Sequence, residues 1–149
     1  SPCPRVIFVR HGQTEWSKSG QYTSITDLPL TDFGVKQMSA TGKHLIGSSS
    51  LQLIKPENLK YIITSPRKRA QQTCQLLLEA LTEEQKSKID ISVDEDIREW
   101  EYGDYEGHTT AQIIALRKSR GLDAEKTEQD PWNIWRDGCE NGETHVEVT

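Results

Sequence analysis

Near the beginning of the sequence, a histidine and an arginine that can react with and bind an anion follow an apolar run. Arg10 and His11 come directly after Val6-Ile7-Phe8-Val9, a run that is typical of a short buried strand. A histidine at a strand end can act as a nucleophile, and the arginine beside it can hold an anion. Gly12 removes a side chain where a backbone can approach a substrate closely. The alternative is a strand-end histidine that only caps a turn.

A second basic motif lies where another predicted strand enters a helix. The segment Thr64-Ser65-Pro66-Arg67-Lys68-Arg69 follows an apolar run and places proline at the start of a helix. The first N–H groups of a helix have no partner within it, so they bind anions readily. Arg69 lies in the first turn and can add a bidentate contact to a phosphate. A solvated basic helix face is the alternative, and the shared sheet end with Arg10 disfavours it.

The third motif is a loop rich in carboxylates and aromatic side chains, at residues 98–107. A carboxylate placed there can protonate a leaving-group oxygen and later activate a water molecule. Glu99 and Glu101 are two residues apart, so both lie on one face if the loop is extended. A charged turn with aromatic packing is the alternative.

The elements that must position these motifs alternate between strands and helices. This alternation predicts an α/β fold with a layered, mainly parallel central sheet and helices on both faces. In such sheets ligands bind outside the carboxyl ends of the strands, where all three motifs fall. The charged segment 123–130 lacks apolar anchors, so we expect a flexible surface insertion before the anchors Trp132 and Trp135. Strands are predicted at 5–9, 61–64 and 89–93, and helices at 31–46, from Ser65, from Thr82 and at 110–120.

Composition limits the class of protein. The chain has 149 residues, 34% of them hydrophobic, and a net charge of -5, which argues against nucleic-acid binding. Its apolar runs fall short of the roughly 18 residues of a membrane span, and no secretory signal is seen. The odd number of widely spaced cysteines, three, predicts free thiols in the cytoplasm rather than disulfides or a zinc site. An anionic substrate would have to be captured by a local basic site within this acidic surface.

Together, the three motifs resemble branch 1 of the histidine phosphatase superfamily, the phosphoglycerate mutase-like phosphatases. They read Arg10-His11-Gly12, Ser65-Pro66-x-x-Arg69-Ala70 and Glu99-x-x-Tyr102-Gly103, and the likeness covers nearly the whole chain. The resemblance implies a phosphatase that works through a phosphohistidine, without metal or cofactor, on sugar phosphates or bisphosphates. The resemblance further implies sedoheptulose 1,7-bisphosphate as the substrate and a small-molecule sugar phosphate or inorganic phosphate as the partner, with a homo-oligomer left open. Further segments that carry the likeness are 20–23, 27–31, 116–122 and 132–143.

The resemblance also implies a role for individual residues. His11 is the expected nucleophile, Arg10 and Arg69 the phosphate clamp, and Glu99 the general acid and then base. A second phosphate group on the substrate needs another cation, and the candidates are Arg98, Lys18 and Arg136. The residues expected to shape the substrate side are Gln13, Thr14, Ser17, Tyr22, Thr23, Ser24 and Tyr102.

Two positions depart from the family pattern. Ser24 stands where many relatives have glycine, which puts the substrate loop in doubt. The family's second histidine, from an Ala-His-Gly motif after a late strand, has no counterpart, because His44, His108 and His145 lie in other contexts. We therefore expect residues 1–149 to be a single domain that is truncated before its last strands.

Two other functions stay open. A phosphoglycerate mutase would use the same His11 and Glu99 but keep its phosphoenzyme and exclude water. The segment Asp104-Tyr105-Glu106-Gly107 favours the phosphatase form of the loop. A non-catalytic phosphate-binding fragment is the third hypothesis, because the second histidine is absent from this chain.

Overall fold

Two parallel strands and the helices that connect them form the frame of the molecule. The computed structural model describes residues 3–149, and every structural statement that follows concerns that range. The strands pair in parallel, with Ile62 opposite Ile91 and Thr64 opposite Val93, as the sequence predicts for an α/β fold. The elements are α1 (Glu15–Ser19), α2 (Asp32–Leu45), β1 (Tyr61–Thr64), α3 (Lys68–Leu77), α4 (Glu83–Ser87), β2 (Asp90–Val93), α5 (Thr110–Ser119), α6 (Ile134–Asp137) and α7 (His145–Val148), with 3-10 turns at Pro56–Asn58, Glu95–Ile97 and Gly103–Tyr105.

Threonine side chains begin several of the helices. Thr31 accepts a hydrogen bond from the N–H of Gly34 at the start of α2, and Thr82 and Thr109 form capping boxes at α4 and α5. These three helix starts are confirmed. The helix predicted from Ser65-Pro66 begins later, with Arg67 as the N-cap of α3. The capping signal is local, so the sequence predicts it well.

The apolar core consists of two separate clusters. One contains Ile46, Leu78, Leu81 and Ile89 and fills the space between α2, α3 and the strands. The other lies under α5 and contains Tyr105, Ile113, Trp132 and Cys139. The first cluster positions the sheet end, and the second positions the loop that follows β2.

The prediction of a first strand at residues 5–9 is wrong for this structure. The segment pairs with no strand of residues 3–149, and its side chains lie in solvent, with Val6 77% and Phe8 93% exposed. The alternation of Ile89, Ile91 and Val93 with polar residues predicts a half-buried third strand, and this is also wrong, because all four residues of β2 are exposed. An apolar run becomes a buried strand only when a ladder partner and a covering layer are present.

The segment 123–130, predicted as a flexible surface insertion without apolar anchors, is attached to its neighbours by ion pairs. Asp123 forms an ion pair of 2.6 Å with Arg117, and both side chains are largely buried. Lys126 reaches Asp137 at 3.0 Å. Of the two predicted tryptophan anchors, Trp132 is buried, whereas Trp135 is mostly exposed. Charged pairs, rather than apolar side chains, hold this segment.

None of the helices formed by residues 3–149 combines the length and the apolar character that crossing a membrane requires.

Candidate active site

The three motifs meet at one cavity beside the carboxyl end of β1. The cavity has a volume of about 530 Å³ and is lined by residues 6–11, by residues 97–99 and by side chains from β1 and the start of α3. The four residues predicted to be catalytic, Arg10, His11, Arg69 and Glu99, all line it. The structure thus brings together residues that are up to 89 positions apart in the chain, from 10 to 99.

His11 presents one ring nitrogen for chemistry. Its Nδ1 lies 2.7 Å from the carbonyl oxygen of Gly12, and a carbonyl can only accept, so Nδ1 carries the hydrogen. The lone pair is then on Nε2. Burial lowers the pKa of His11 below its ordinary value of 6.5, and nearby Arg69 and Arg10 lower it further, against the opposing effect of the Gly12 carbonyl. Both effects favour the neutral ring of His11, with the Nε2 lone pair free.

The backbone after His11 is held tightly between two helices. The N–H of Gly12 donates to the Thr73 hydroxyl at 3.0 Å, and that hydroxyl donates to the Arg69 carbonyl at 2.7 Å. A Cβ atom at Gly12 would lie 2.7 Å from the Met38 side chain and 3.0 Å from the Gly34 carbonyl. Because both contacts are too close, only glycine fits here without a shift of α2.

Arg69 is buried in the wall of the cavity and holds the neighbouring loop. Only 2% of the residue is exposed. Its guanidinium donates to the carbonyls of Thr23 and Ser24 at 3.1 to 3.4 Å, and to Thr26 at 3.3 Å. Burial lowers the pKa of Arg69, and the Glu99 carboxylate opposes this effect. Arg69 therefore combines the predicted cavity position with a structural role that the sequence did not indicate.

Glu99, and not Glu101, faces the cavity. Its Oε1 accepts from the Tyr102 hydroxyl at 3.0 Å and from the Trp100 N–H at 3.1 Å. Burial raises the pKa of Tyr102 well above its ordinary value, and Glu99 adds to this, so the phenol stays protonated and donates. Glu101 instead lies 3.6 Å from Arg98 and does not line the cavity.

The loop that carries Glu99 is fixed against residues 139–143. The indole N–H of Trp100 donates to the Glu143 carbonyl at 2.7 Å, and the N–H of Glu101 donates to the Glu143 carboxylate at 2.8 Å. Gly103 has φ +52, and a Cβ there would lie 2.3 Å from the Glu140 carbonyl. The two backbones therefore pack directly on each other.

A buried polar network supports this loop from below. Tyr105 is fully buried; its hydroxyl donates to the Glu140 carboxylate at 3.0 Å and accepts from Arg117 at 2.9 Å. Arg117 is paired in turn with Asp123. Sequence reasoning missed this network, because its members come from three distant segments.

Glu106 is another residue that sequence reasoning left without a role. Its carboxylate accepts from the N–H groups of Ser24, at 2.8 Å, and Thr26, at 3.0 Å. Ser24 is fully buried and its hydroxyl donates to the Glu99 carbonyl at 3.2 Å. The loop around Ser24 is thus held between Glu106, Arg69 and Glu99. The sequence signal for Glu106 is its place in Asp104-Tyr105-Glu106-Gly107. That segment favours the phosphatase form of the loop but does not predict which groups Glu106 contacts.

The seven residues predicted on the substrate side are not in the cavity wall. Thr14 and Ser17 form the capping box of α1, and Thr14 is fully buried, so their hydroxyls serve the helix start. The Gln13 side chain accepts from the Thr31 hydroxyl at 2.9 Å. Thr14 and Ser24 are fully buried, so neither side chain reaches the cavity in this structure, and their place on the substrate side stays a prediction. The seven are Gln13, Thr14, Ser17, Tyr22, Thr23, Ser24 and Tyr102.

Tyr22, Thr23 and Tyr102 have positions next to the loop. The Tyr22 and Tyr102 rings meet edge to face with centroids 4.8 Å apart. The Thr23 hydroxyl donates to the Gln21 carbonyl at 3.2 Å. Tyr102 contacts the site through Glu99, so its effect on a substrate is indirect in this geometry.

Of the four histidines, His11 is the one that lines the cavity described by residues 3–149. His44 is exposed at the end of α2, His108 contacts the Glu106 carbonyl, and His145 lies on α7 beside Trp135. Within the same residues, no group of three or more His, Cys, Asp and Glu side chains is arranged to hold a metal ion.

Comparison with known proteins gives one matching family and several similar proteins. Residues 6–149 match the family described as histidine phosphatase superfamily (branch 1). The chain is 61% identical over 145 residues to sedoheptulose 1,7-bisphosphatase of Saccharomyces cerevisiae, covering 97% of this chain and 51% of that protein. It is 35% identical over 144 residues to an acid phosphatase of Mycobacterium tuberculosis, covering 97% and 57%. The chain therefore spans about half the length of these relatives.

Other relatives and solved structures extend this result. A 2,3-bisphosphoglycerate-dependent phosphoglycerate mutase of Rhizobium meliloti is 34% identical over 104 residues, covering 68% of this chain and 44% of that protein. The solved structure of an open reading frame product of Mycobacterium tuberculosis matches with a TM-score of 0.61 and 33% identity, covering 91% and 56%. Bacillus stearothermophilus YhfR matches with a TM-score of 0.64 and 26% identity, covering 93% and 58%.

Proposed function

Because the chain belongs to branch 1 of the histidine phosphatase superfamily, we propose that it forms the reacting centre of a phosphatase that works through a phosphohistidine on sugar bisphosphates. The single observation that carries this proposal is the arrangement at the cavity. A neutral His11 with a free Nε2 shares the cavity wall with Arg10, Arg69 and Glu99. A nucleophile, two cations and one carboxylate are the groups that metal-free phosphoryl transfer requires.

The proposed reaction has two steps. His11 Nε2 attacks the phosphorus atom, a P–N bond forms and the ester P–O bond breaks, while Glu99 in its acid form gives its proton to the leaving oxygen. Glu99, now a carboxylate, takes a proton from water, whose oxygen attacks phosphorus and breaks the P–N bond. Arg10 and Arg69 offset the charge on the phosphoryl oxygens in both steps.

Sedoheptulose 1,7-bisphosphate is the proposed substrate. The support is the 61% identity to the yeast protein of that name, over 97% of this chain. The likeness to a phosphoglycerate mutase is lower and covers 68% of the chain. A preference for a sugar bisphosphate over a phosphoglycerate is therefore the expected result.

Residues 1–149 are proposed to be one α/β domain whose sheet gains further strands in the whole protein. The exposed apolar side chains of the first segment and of the two strands support this, among them Val6, Phe8, Ile63 and Ile91.

A cytoplasmic location is part of the same proposal. Cys3, Cys74 and Cys139 are free, and burial raises the pKa of the Cys139 thiol to about 11, so that cysteine is inert.

The test is phosphate release by the whole protein from three esters. We expect kcat/KM to be highest for sedoheptulose 1,7-bisphosphate, lower for fructose 1,6-bisphosphate and lowest for 3-phosphoglycerate. Transfer of phosphate within phosphoglycerates without release would favour the mutase hypothesis. Binding of these esters with no turnover would favour the non-catalytic hypothesis.

A further inference from the structure

Arg67 is a cation in the cavity wall whose side chain has no partner among the described residues 3–149. It lines the same cavity as His11 and Arg69. Its Nε is buried and has no hydrogen-bond partner among residues 3–149, and within that range Arg67 forms no ion pair. Buried donors are nearly always bonded in folded proteins, so an unpaired one needs an explanation.

The charges around the cavity point to an anion beyond the reacting phosphate. Four arginines and one glutamate line it: Arg10, Arg67, Arg69, Arg98 and Glu99. Arg98 lies 3.3 Å from Glu143 and 3.6 Å from Glu101, so it is already compensated. A phosphate monoester carries close to two negative charges near neutral pH, which Arg10 and Arg69 offset. Arg67 remains as an additional cation.

Arg67 also lies close enough to Arg69 to act on it. The positive charge of Arg67 helps to lower the pKa of Arg69, after the larger effect of burial. Two guanidinium groups that repel each other in one cavity are stabilised when an anion binds near both. The Arg67 carbonyl accepts the first bonds of α3, from Ala70 and Gln71, but its side chain makes no cap contact. A structural role therefore accounts for the backbone and not for the side chain.

The other cations considered for a second phosphate are less suitable. Arg136 is held by Asp130 at 2.6 Å and by Asp137 at 3.1 Å. Lys18 lies on α1 and does not line the cavity. Arg98 is paired as described, so Arg67 is the available group.

We propose that Arg67 binds the second phosphate group of a bisphosphorylated sugar, the one that is not transferred. This inference rests on the proposed function. Energy from a remote phosphate can be used at the reacting centre, so it appears in kcat/KM. One charge-assisted hydrogen bond corresponds to a change of roughly 10- to 100-fold.

The test compares Arg67→Gln with Lys68→Gln, a matched change of the neighbouring charge. The Lys68 side chain is exposed and outside the cavity. The substrates are fructose 1,6-bisphosphate, fructose 1-phosphate and fructose 6-phosphate, used with the whole protein. We expect Arg67→Gln to lower kcat/KM roughly 10- to 100-fold for the bisphosphate and less than about twofold for either monophosphate. Arg67→Lys should recover part of the loss, and Lys68→Gln should resemble the wild type.

Equal losses on all three esters, or no loss on any, would overturn the inference. A second arm uses His11→Ala, which cannot turn over substrate in the proposed reaction, and measures Kd by titration. In that background the bisphosphate should bind more tightly than the monophosphates, and Arg67→Gln should remove most of the difference. If the wild type hydrolysed none of the esters, the proposed function would fail. The titration would still decide on Arg67, because an unchanged ratio of Kd values contradicts its role.

Discussion

The segment that carries His11 and the loop that carries Glu99 reach the same cavity from regions that are built differently. Residues 5–9 before the histidine expose their apolar side chains and pair with no strand of residues 3–149. The loop of Glu99 is fixed by Glu143 and by a buried network around Tyr105. The first region has no strand partner among these residues. The second is stabilised by polar contacts within them.

His11 and Glu99 are therefore held in place in two different ways. His11 is held mainly from its carboxyl side, where the N–H of Gly12 donates to Thr73 of α3. Glu99 is held by its own loop and by Ser24, whose hydroxyl reaches the Glu99 carbonyl. Substitutions near Glu99 should therefore change stability in this chain, whereas substitutions in residues 5–9 should not.

The largest expected effect is the loss of the nucleophile. His11→Ala should abolish phosphate release by the whole protein, since no other histidine lines the cavity described by residues 3–149. The thermal unfolding midpoint should change little, because the ring makes one hydrogen bond, to the adjacent Gly12. Turnover above a few per cent of the wild type would show that His11 is not the nucleophile.

The second prediction concerns the acid–base group. Glu99→Gln should lower kcat by roughly 10²- to 10⁴-fold, as expected when a general acid and base is removed. Glu101→Gln is the matched control and should have a much smaller effect, because Glu101 lies outside the cavity. The reverse ranking in steady-state kinetics would assign the role to Glu101.

The third prediction breaks the buried network under the Glu99 loop. Arg117→Met leaves Asp123 without its partner, and the side chains of this pair are only 10% and 8% exposed. We expect a loss of about 3 to 5 kcal/mol in the free energy of unfolding, measured with urea. Arg120→Gln is the control: its side chain is 40% exposed, so its ion pairs are screened and the loss should be much smaller. Similar losses for the two variants would remove the distinction between buried and exposed pairs.

The fourth prediction follows from the lowered pKa of His11. Only the neutral ring attacks phosphorus, and burial together with Arg69 and Arg10 keeps the ring neutral to a lower pH than usual. The fall of kcat/KM caused by protonation of His11 should therefore lie below pH 6.5, with a slope of about tenfold per pH unit. An NMR titration of the His11 ring gives its pKa directly. A pKa above 6.5 would mean that burial is not the largest influence on the pKa of His11.

The smallest effect is expected at the exposed apolar segment. Phe8→Ser should change the unfolding free energy of chain 1–149 by no more than about 0.5 kcal/mol, because Phe8 is 93% exposed. Ile113→Ala, at a fully buried position, is the control and should cost about 2 to 5 kcal/mol. In the whole protein we expect Phe8→Ser to cost more, about 1.5 to 3 kcal/mol, if further strands cover this side chain. Equal small effects in both proteins would count against the proposed extension of the sheet.

The comparison also explains what the sequence could predict. Thr31 and Thr82 were predicted as helix starts because a cap depends on residues three positions apart, whereas the cap at Thr109 was not predicted although the helix at 110–120 was. The strand at residues 5–9 was predicted from its apolar run, but pairing depends on a partner that the run does not contain. The four cavity residues followed from motifs at strand ends.

The supports of those residues could not be predicted in the same way. Glu106 reaches Ser24 across 82 positions, and Tyr105 reaches Glu140 across 35. Neither contact leaves a periodic or a capping signal. The burial of Thr14 and Ser24 could not be predicted for the same reason, since it depends on distant segments.

The most direct test of the central claim is capture of the phosphoenzyme. The whole protein would be mixed with radiolabelled sugar bisphosphate, quenched in alkali and digested, and the labelled peptide sequenced. The mechanism predicts an acid-labile, alkali-stable phosphate on the peptide that contains His11, and none in His11→Ala. Label on another residue, or phosphate release with no label at all, would contradict a phosphohistidine at His11.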